Sequence, residues 1–165
     1  MLADREIAIL IDEIHKYHGY DFSGYSIASF RRRIDRIYQM EAFANFSEFL
    51  SKARSNETYF KHLVEEITVN VTEMFRDPSF YKVLRTEILP TLATKPFIRI
   101  WHAGCSTGEE VYSMAILLKE LNLLHKSLLY ATDLNPSVLE IAKKGVFPLR
   151  TIQQYAENYR IARKK

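Results

Sequence analysis

The chain has 165 residues, 47% of them hydrophobic and 26% charged, with a formal net charge of +3 and a single cysteine. That length supports one sizeable domain or two small ones with a real core. One cysteine excludes an intramolecular disulfide framework, so weak a net charge argues against nucleic acid as the main partner, and no apolar run reaches the roughly 18 residues of a bilayer span. The N-terminal stretch MLADREIAIL carries acidic residues where a signal peptide needs a basic start, so a cytoplasmic protein without membrane insertion is expected.

The first part of the chain reads as helices. In ADREIAILIDEIHKYHG the residues Ile7, Leu10, Ile11 and Ile14 recur at three- and four-residue spacing, and Gly19 stands where a helix ends. SIASFRRRIDRIYQ repeats the pattern with Ile27, Phe30, Ile34 and Ile37, and Arg32, Arg33 and Arg36 fall off that stripe. Two shorter helices are predicted over SEFLSKAR and ETYFKHLVEEI. All five prolines then follow Asp77, which marks a change of architecture. DPSFYKVLRTEIL predicts a helix with Asp77 as N-cap and Pro78 at its first position. PFIRIWHA predicts a strand, GEEVYSMAILLKELN a helix, SLLYATD a strand, and NPSVLEIAKKG a helix capped by Asn135 and ended by Gly145. Strand alternating with helix, with apolar strands, predicts a parallel sheet. Trp101 and Tyr112 are expected in the core.

In such a sheet the ligand crevice lies beyond the carboxyl ends of the strands. The loop AGCSTGEE leaves the first strand there, and Asp133 leaves the second, 25 positions after Gly108. An acid at about 20 residues from a glycine loop meets ribose hydroxyls in mononucleotide-binding units. Glu109 and Glu110 replace the lysine that a triphosphate loop requires, and only Gly104 and Gly108 stand where a dinucleotide fingerprint needs three glycines. Acidic residues instead suit an adenosine-type ligand with positive charge, and S-adenosylmethionine meets that demand. The five histidines show no zinc-like spacing, so no metal is expected. Cys105 has no histidine paired with it and reads as packing.

Three stretches, IRIWHAGCSTGEEVYSMAILL, YATDLNPSVLEIAKKGVF and ITVNVTEMFRDPSFY, resemble the CheR family, the chemotaxis receptor glutamate methyltransferases. The resemblance runs from about Phe30 to Leu149. It implies an α/β enzyme: a small all-helical N-terminal domain followed by the first part of a Rossmann-like class I methyltransferase domain. The boundaries expected are 1–68 for the helical domain, 69–77 for a junction and 78–165 for the S-adenosylmethionine-binding part. The activity implied is S-adenosylmethionine-dependent O-methylation of glutamates on a chemoreceptor, releasing S-adenosylhomocysteine. Asn70, Thr72 and Arg76 would reach the cofactor, Arg76 nearest the reacting methyl and so the catalytic position. Ala103 and Gly104 would pass close to it, Glu109 or Glu110 would contact its methionine or sugar part, and Asp133 its ribose. Arg32, Arg33 and Arg36 would meet the acidic helical cytoplasmic domain of the receptor, while Arg31 leans toward the core. The family's later strands are not found, so the chain reads as truncated, with exposed sheet edges through which it could self-associate. A non-catalytic receptor-binding module with a partial cofactor site is the alternative.

Overall fold

The protein's structure, a computed structural model, describes residues 1–68 and 70–163. Val69 of the expected junction, and Lys164 and Lys165 at the end of the expected second domain, lie outside them. The chain forms two compact units, Met1–Val69 and Asn70–Lys165, so the polar segment 70–77 packs with the second.

In the first unit α1 (Asp4–His18), α2 (Ile27–Met40), α3 (Phe46–Ser55) and α4 (Glu57–Ile67) form an all-helical bundle. Short polar side chains start α2, α3 and α4: Ser26, Asn45 and Asn56 each accept a backbone N–H from three residues on. The stripes meet in one core that holds Ile7, Leu10 and Ile14 against Phe30, Ile34, Phe49 and Leu63. Ile27 departs from expectation. At the first helical position of α2 it is 57% exposed and lines an open groove with Ile7 and Ile11. Asp35, two turns on, is buried because its Oδ1 accepts the Leu2 N–H at 2.7 Å.

The second unit contains β1 (Ile98–Ala103) and β2 (Ser127–Thr132), paired in parallel from Ile98 opposite Ser127 to Ala103 opposite Thr132. Between them α7 (Glu109–Glu120) crosses over the inner face of the sheet. There Ile98, Ile100 and Leu129 join Met114, Leu117 and Leu118 in the core. Alternation along the strands turns Trp101 and Tyr130 to the other face, which is uncovered; Trp101 is 69% exposed, so its expected place in the core is corrected by strand register. Tyr112 is half-buried, and its hydroxyl donates to the Ala142 carbonyl of α8 (Pro136–Lys144).

The helix expected to stop before Pro90 continues past it. α5 (Pro78–Val83) widens into a π-helical stretch, Leu84–Ile88, and resumes as α6 (Leu89–Leu92). Proline lacks the N–H for the i−4 bond and its ring clashes with that carbonyl, and a widened turn accommodates both. The C-terminal stretch, for which no element was predicted, is α9 (Ile152–Arg163); Tyr155, Asn158 and Ala162 face inward, and Ala162 joins the core. Among the described residues no helix is long and apolar enough to cross a membrane.

Burial pushes the Tyr81 phenol up to about 12, and burial followed by the nearby Glu41 pushes Tyr59 up as well. A folded pKa above the unfolded value near 10 keeps its stabilising contribution below pH 10 and loses it as the pH rises through the folded value. The Tyr81 contribution to the melting temperature of the second unit should therefore hold up to pH 10 and fall between pH 10 and about 12, and Tyr81→Phe should flatten the decline in that window; an unchanged slope in this variant would exclude the assignment.

Candidate functional site

Both strands end at one edge of the sheet, and the chain leaving β1 turns back on the end of β2. The N–H groups of Gly104 and Cys105 donate to the Thr132 carbonyl at 2.8 and 2.9 Å. Asp133 continues the turn: Oδ2 accepts the Ser106 N–H at 2.8 Å and Oδ1 the Asn135 N–H at 2.9 Å. The structure thus brings the glycine loop and the acid of the next strand into direct contact.

The loop is held in a costly shape. Ser106 adopts φ +49°, in the left-handed region that disfavours side chains by about 1–2 kcal/mol, and its bond to Asp133 secures it there. Gly104 has φ +73° with nothing within 4 Å of where a Cβ would stand, so its backbone borders open space. Gly108 has φ +97°, and a Cβ there would lie 3.0 Å from the Ala142 Cβ, so glycine lets the start of α7 approach α8. Among the described residues, two buried polar atoms at this loop have no hydrogen-bond partner, Ser106 Oγ and His102 Nε2. Cys105 is buried, and burial and then the Asp133 carboxylate push its thiol up, away from the thiolate.

Glu109 and Glu110, adjacent at the start of α7, occupy opposite environments. Glu109 is 5% exposed and takes hydrogen bonds on both oxygens, from Thr107 Oγ1 at 2.6 Å and from the Tyr155 hydroxyl at 3.2 Å. A carboxylate in the first turn also complements the helix dipole. The Glu110 side chain is 58% exposed, with Oε1 2.8 Å from Nδ1 of the buried His102. Of the two carboxylates, that of Glu110 is the exposed one.

The segment 70–77 is fastened to the same helix. Phe75 N–H donates to Ser113 Oγ at 2.9 Å, and that hydroxyl donates to the Glu109 carbonyl at 2.6 Å. Asn158 of α9 donates to the Met74 carbonyl and the Glu73 carboxylate. Phe75 and Asp77 both have positive φ, at 52° and 54°, so Arg76 sits between two strained residues, each costing about 1–3 kcal/mol. Its exposed side chain donates to the Val71 carbonyl at 3.1 Å. Asn70 is exposed and Thr72 half-buried; neither bonds the glycine loop among the described residues. Asp77 does not cap α5 with its side chain as expected, because the left-handed backbone leaves only its carbonyl to accept the Phe80 N–H.

In the helical unit the arginines divide. Arg31 is half-buried and bonds the Leu2 carbonyl and Asp4, and Arg33, also half-buried, donates to the Glu66 carbonyl. Arg36 is exposed, 3.6 Å from the Glu66 carboxylate, and Arg32 is exposed with no ion pair among the described residues. Arg31, Arg32 and Arg36 border an open groove of about 590 Å³ flanked by Met1 and Met40. Arg33 is thereby turned from the open face where Arg32 stands.

His102, Ser106, Ser113 and Tyr155 belong to the site's framework and were not singled out from sequence. His102 had a legible signal: it continues the inward alternation Ile98, Ile100, at the strand end where ligands bind. Tyr155 had none, since its helix was not predicted.

A sulfonium nucleoside needs backbone it can approach closely, acceptors for two ribose hydroxyls and negative charge for its ammonium group. Gly104 supplies the first. Asp133 keeps one lone pair on each oxygen after its two backbone bonds, and Glu110 supplies the exposed charge. The residues present fit that ligand. Comparison with known proteins agrees: residues 5–68 match the family described as CheR methyltransferase, all-alpha domain, and residues 70–163 match CheR methyltransferase, SAM binding domain. A relative named Cher3 from Pseudomonas putida is 44% identical over 159 residues, covering 96% of this chain and 58% of its own length. Proteins named chemotaxis protein methyltransferase in Borreliella burgdorferi and Listeria innocua are 33% and 30% identical, covering 87% and 86% of this chain. The chain spans 55% to 58% of the length of these three relatives. With its helical and α/β units each matched, in chain order, by one of that family's two domains, the chain belongs to the CheR methyltransferases, and the cofactor of its second unit is S-adenosylmethionine.

Proposed function

We propose that the chain serves S-adenosylmethionine-dependent O-methylation of glutamate side chains on the helical cytoplasmic domain of a chemoreceptor-type protein. The observation that carries this reading is the bond between Asp133 and the Ser106 N–H, which ties the acid at the end of β2 to the glycine loop at the end of β1. In this reading residues 1–68 face the protein partner and 78–165 hold the cofactor. Asp133 accepts the ribose hydroxyls, Glu110 accepts the ammonium group, and Ala103 and Gly104 offer close backbone. Asn70 and Thr72 border the same site from the segment fastened to α7.

When bound, S-adenosylmethionine supplies the electrophilic methyl group. A glutamate side chain has an unperturbed pKa of about 4.3, so the nucleophile arrives ionised and the chain needs no general base. The work left to its residues is alignment and exclusion of water, which supply several kcal/mol in well-positioned reactions. Arg76 guides the incoming carboxylate. A tight bidentate grip would stabilise the charged ground state more than a transition state in which charge diminishes, so a loose contact serves better. Arg32 and Arg36, on the open face of α2, suit electrostatic steering of an acidic helical partner.

Titration calorimetry with S-adenosylhomocysteine, followed by methyl transfer to a receptor cytoplasmic fragment, tests the proposal. Saturable binding and labelled glutamate are expected. Binding without transfer supports instead a receptor-binding module with a partial cofactor site, a reading favoured by the uncovered outer face of β1 and β2 around Trp101. No binding overturns both.

A further inference from the structure

The pair formed by His102 and Glu110 is left unused by the mechanism above. His102 lies on the inner face of β1, 4% exposed, one residue before the loop. Its Nδ1 is 2.8 Å from Glu110 Oε1, while its Nε2 is buried without a hydrogen-bond partner among the described residues. A carboxylate can only accept, so Nδ1 carries the proton and donates. A ring held by packing offers a fixed donor to a carboxylate that is otherwise open to solvent, on a side chain with three rotatable bonds. Left alone, an exposed glutamate samples many rotamers and loses that freedom when it binds.

We infer that His102 is a positioning residue: its Nδ1–H holds the Glu110 carboxylate in one orientation at the start of α7, so that the second oxygen is preorganised for the ammonium group of the cofactor. This rests on the reading that Glu110 contacts the cofactor. The logic is that of buried groups which orient a binding residue through a hydrogen bond without touching the ligand. His102 sits in the strand and Glu110 in the helix that follows the loop, so their bond also spans the loop from end to end.

Asparagine places an amide N–H close to the position of Nδ1, glutamine close to that of Nε2, and leucine removes the donor. The expected result is that His102→Asn binds S-adenosylhomocysteine within about three-fold of the unsubstituted chain, whereas His102→Leu and His102→Gln bind roughly ten-fold more weakly. Glu110→Gln should itself weaken binding, and His102→Leu added to it should cost nothing more, the signature of one shared interaction. In the cofactor-free chain, the imidazole Nδ1–H resonance should shift on Glu110→Gln. Equal affinities for the three His102 variants, at melting temperatures near that of the unsubstituted chain, overturn the proposal. If Glu110→Gln leaves affinity unchanged, the Glu110 reading fails first. If it weakens binding while His102→Leu does not, only the role of His102 fails. Should leucine unfold the unit, asparagine against glutamine and the resonance shift decide alone.

Discussion

Replacing Asp133 with alanine is expected to lower affinity for S-adenosylhomocysteine at least about 100-fold. In the proposed reading Asp133 takes two charge-assisted hydrogen bonds from ribose hydroxyls; such bonds contribute roughly 1.5–3 kcal/mol each, and every 1.4 kcal/mol is ten-fold. The same substitution leaves the N–H groups of Ser106 and Asn135 without their acceptor, releasing a loop that Asp133 holds with Ser106 at positive φ. The second unit should lose about 2–4 kcal/mol of stability. Asp133→Asn separates the two effects: one oxygen remains for a backbone N–H, so stability recovers in part while ribose binding stays weak. Calorimetry and thermal melts on the two variants check this. Affinity retained by the alanine variant would mean that Asp133 shapes the loop only, and that the ribose lies elsewhere.

Arg76→Ala is expected to lower kcat/KM for methyl transfer by at least about 100-fold, the scale on which misplacement of a reactant is felt. Its effect on folding should be small, about 5 °C or less in melting temperature, because the side chain is exposed and gives up one bond, to the Val71 carbonyl. Arg76→Lys should fall between, keeping charge but not the planar fork. The placement of Arg76 comes from its neighbours. Phe75 and Asp77 hold strained backbone on either side, and the Phe75 N–H is tied through Ser113 to the first turn of α7. Near-normal turnover in Arg76→Ala would remove the side chain from the mechanism and leave that strain without a functional counterpart.

The elements that were legible are those whose signals are local. Periodic apolar residues placed α1 to α4, and the Asn135, Pro136 and Gly145 punctuation framed α8. The strands followed from short apolar runs between turn residues. Signals failed where a single tertiary feature overrode them. Pro90 widened a helix that proline was expected to end, Asp77 gave up capping for a left-handed backbone, and α9 was hidden because its inward face is largely polar or small: Tyr155, Asn158 and Ala162.

At the site the division is sharper. Residue types and spacing alone narrowed the ligand to a sulfonium nucleoside, because acids in place of a lysine and a glycine loop at a strand end are properties of order along the chain. Which of two adjacent glutamates stays open to solvent is not such a property. One helical step separates them, and only packing buries Glu109 against Thr107 and Tyr155 while leaving Glu110 open beside His102. The same holds for Arg33, turned to the Glu66 carbonyl, and for Trp101, left on an uncovered face. Chemistry is written in residue identity, whereas exposure and partnership depend on what other segments bring near, and those contacts exist only once the chain has folded.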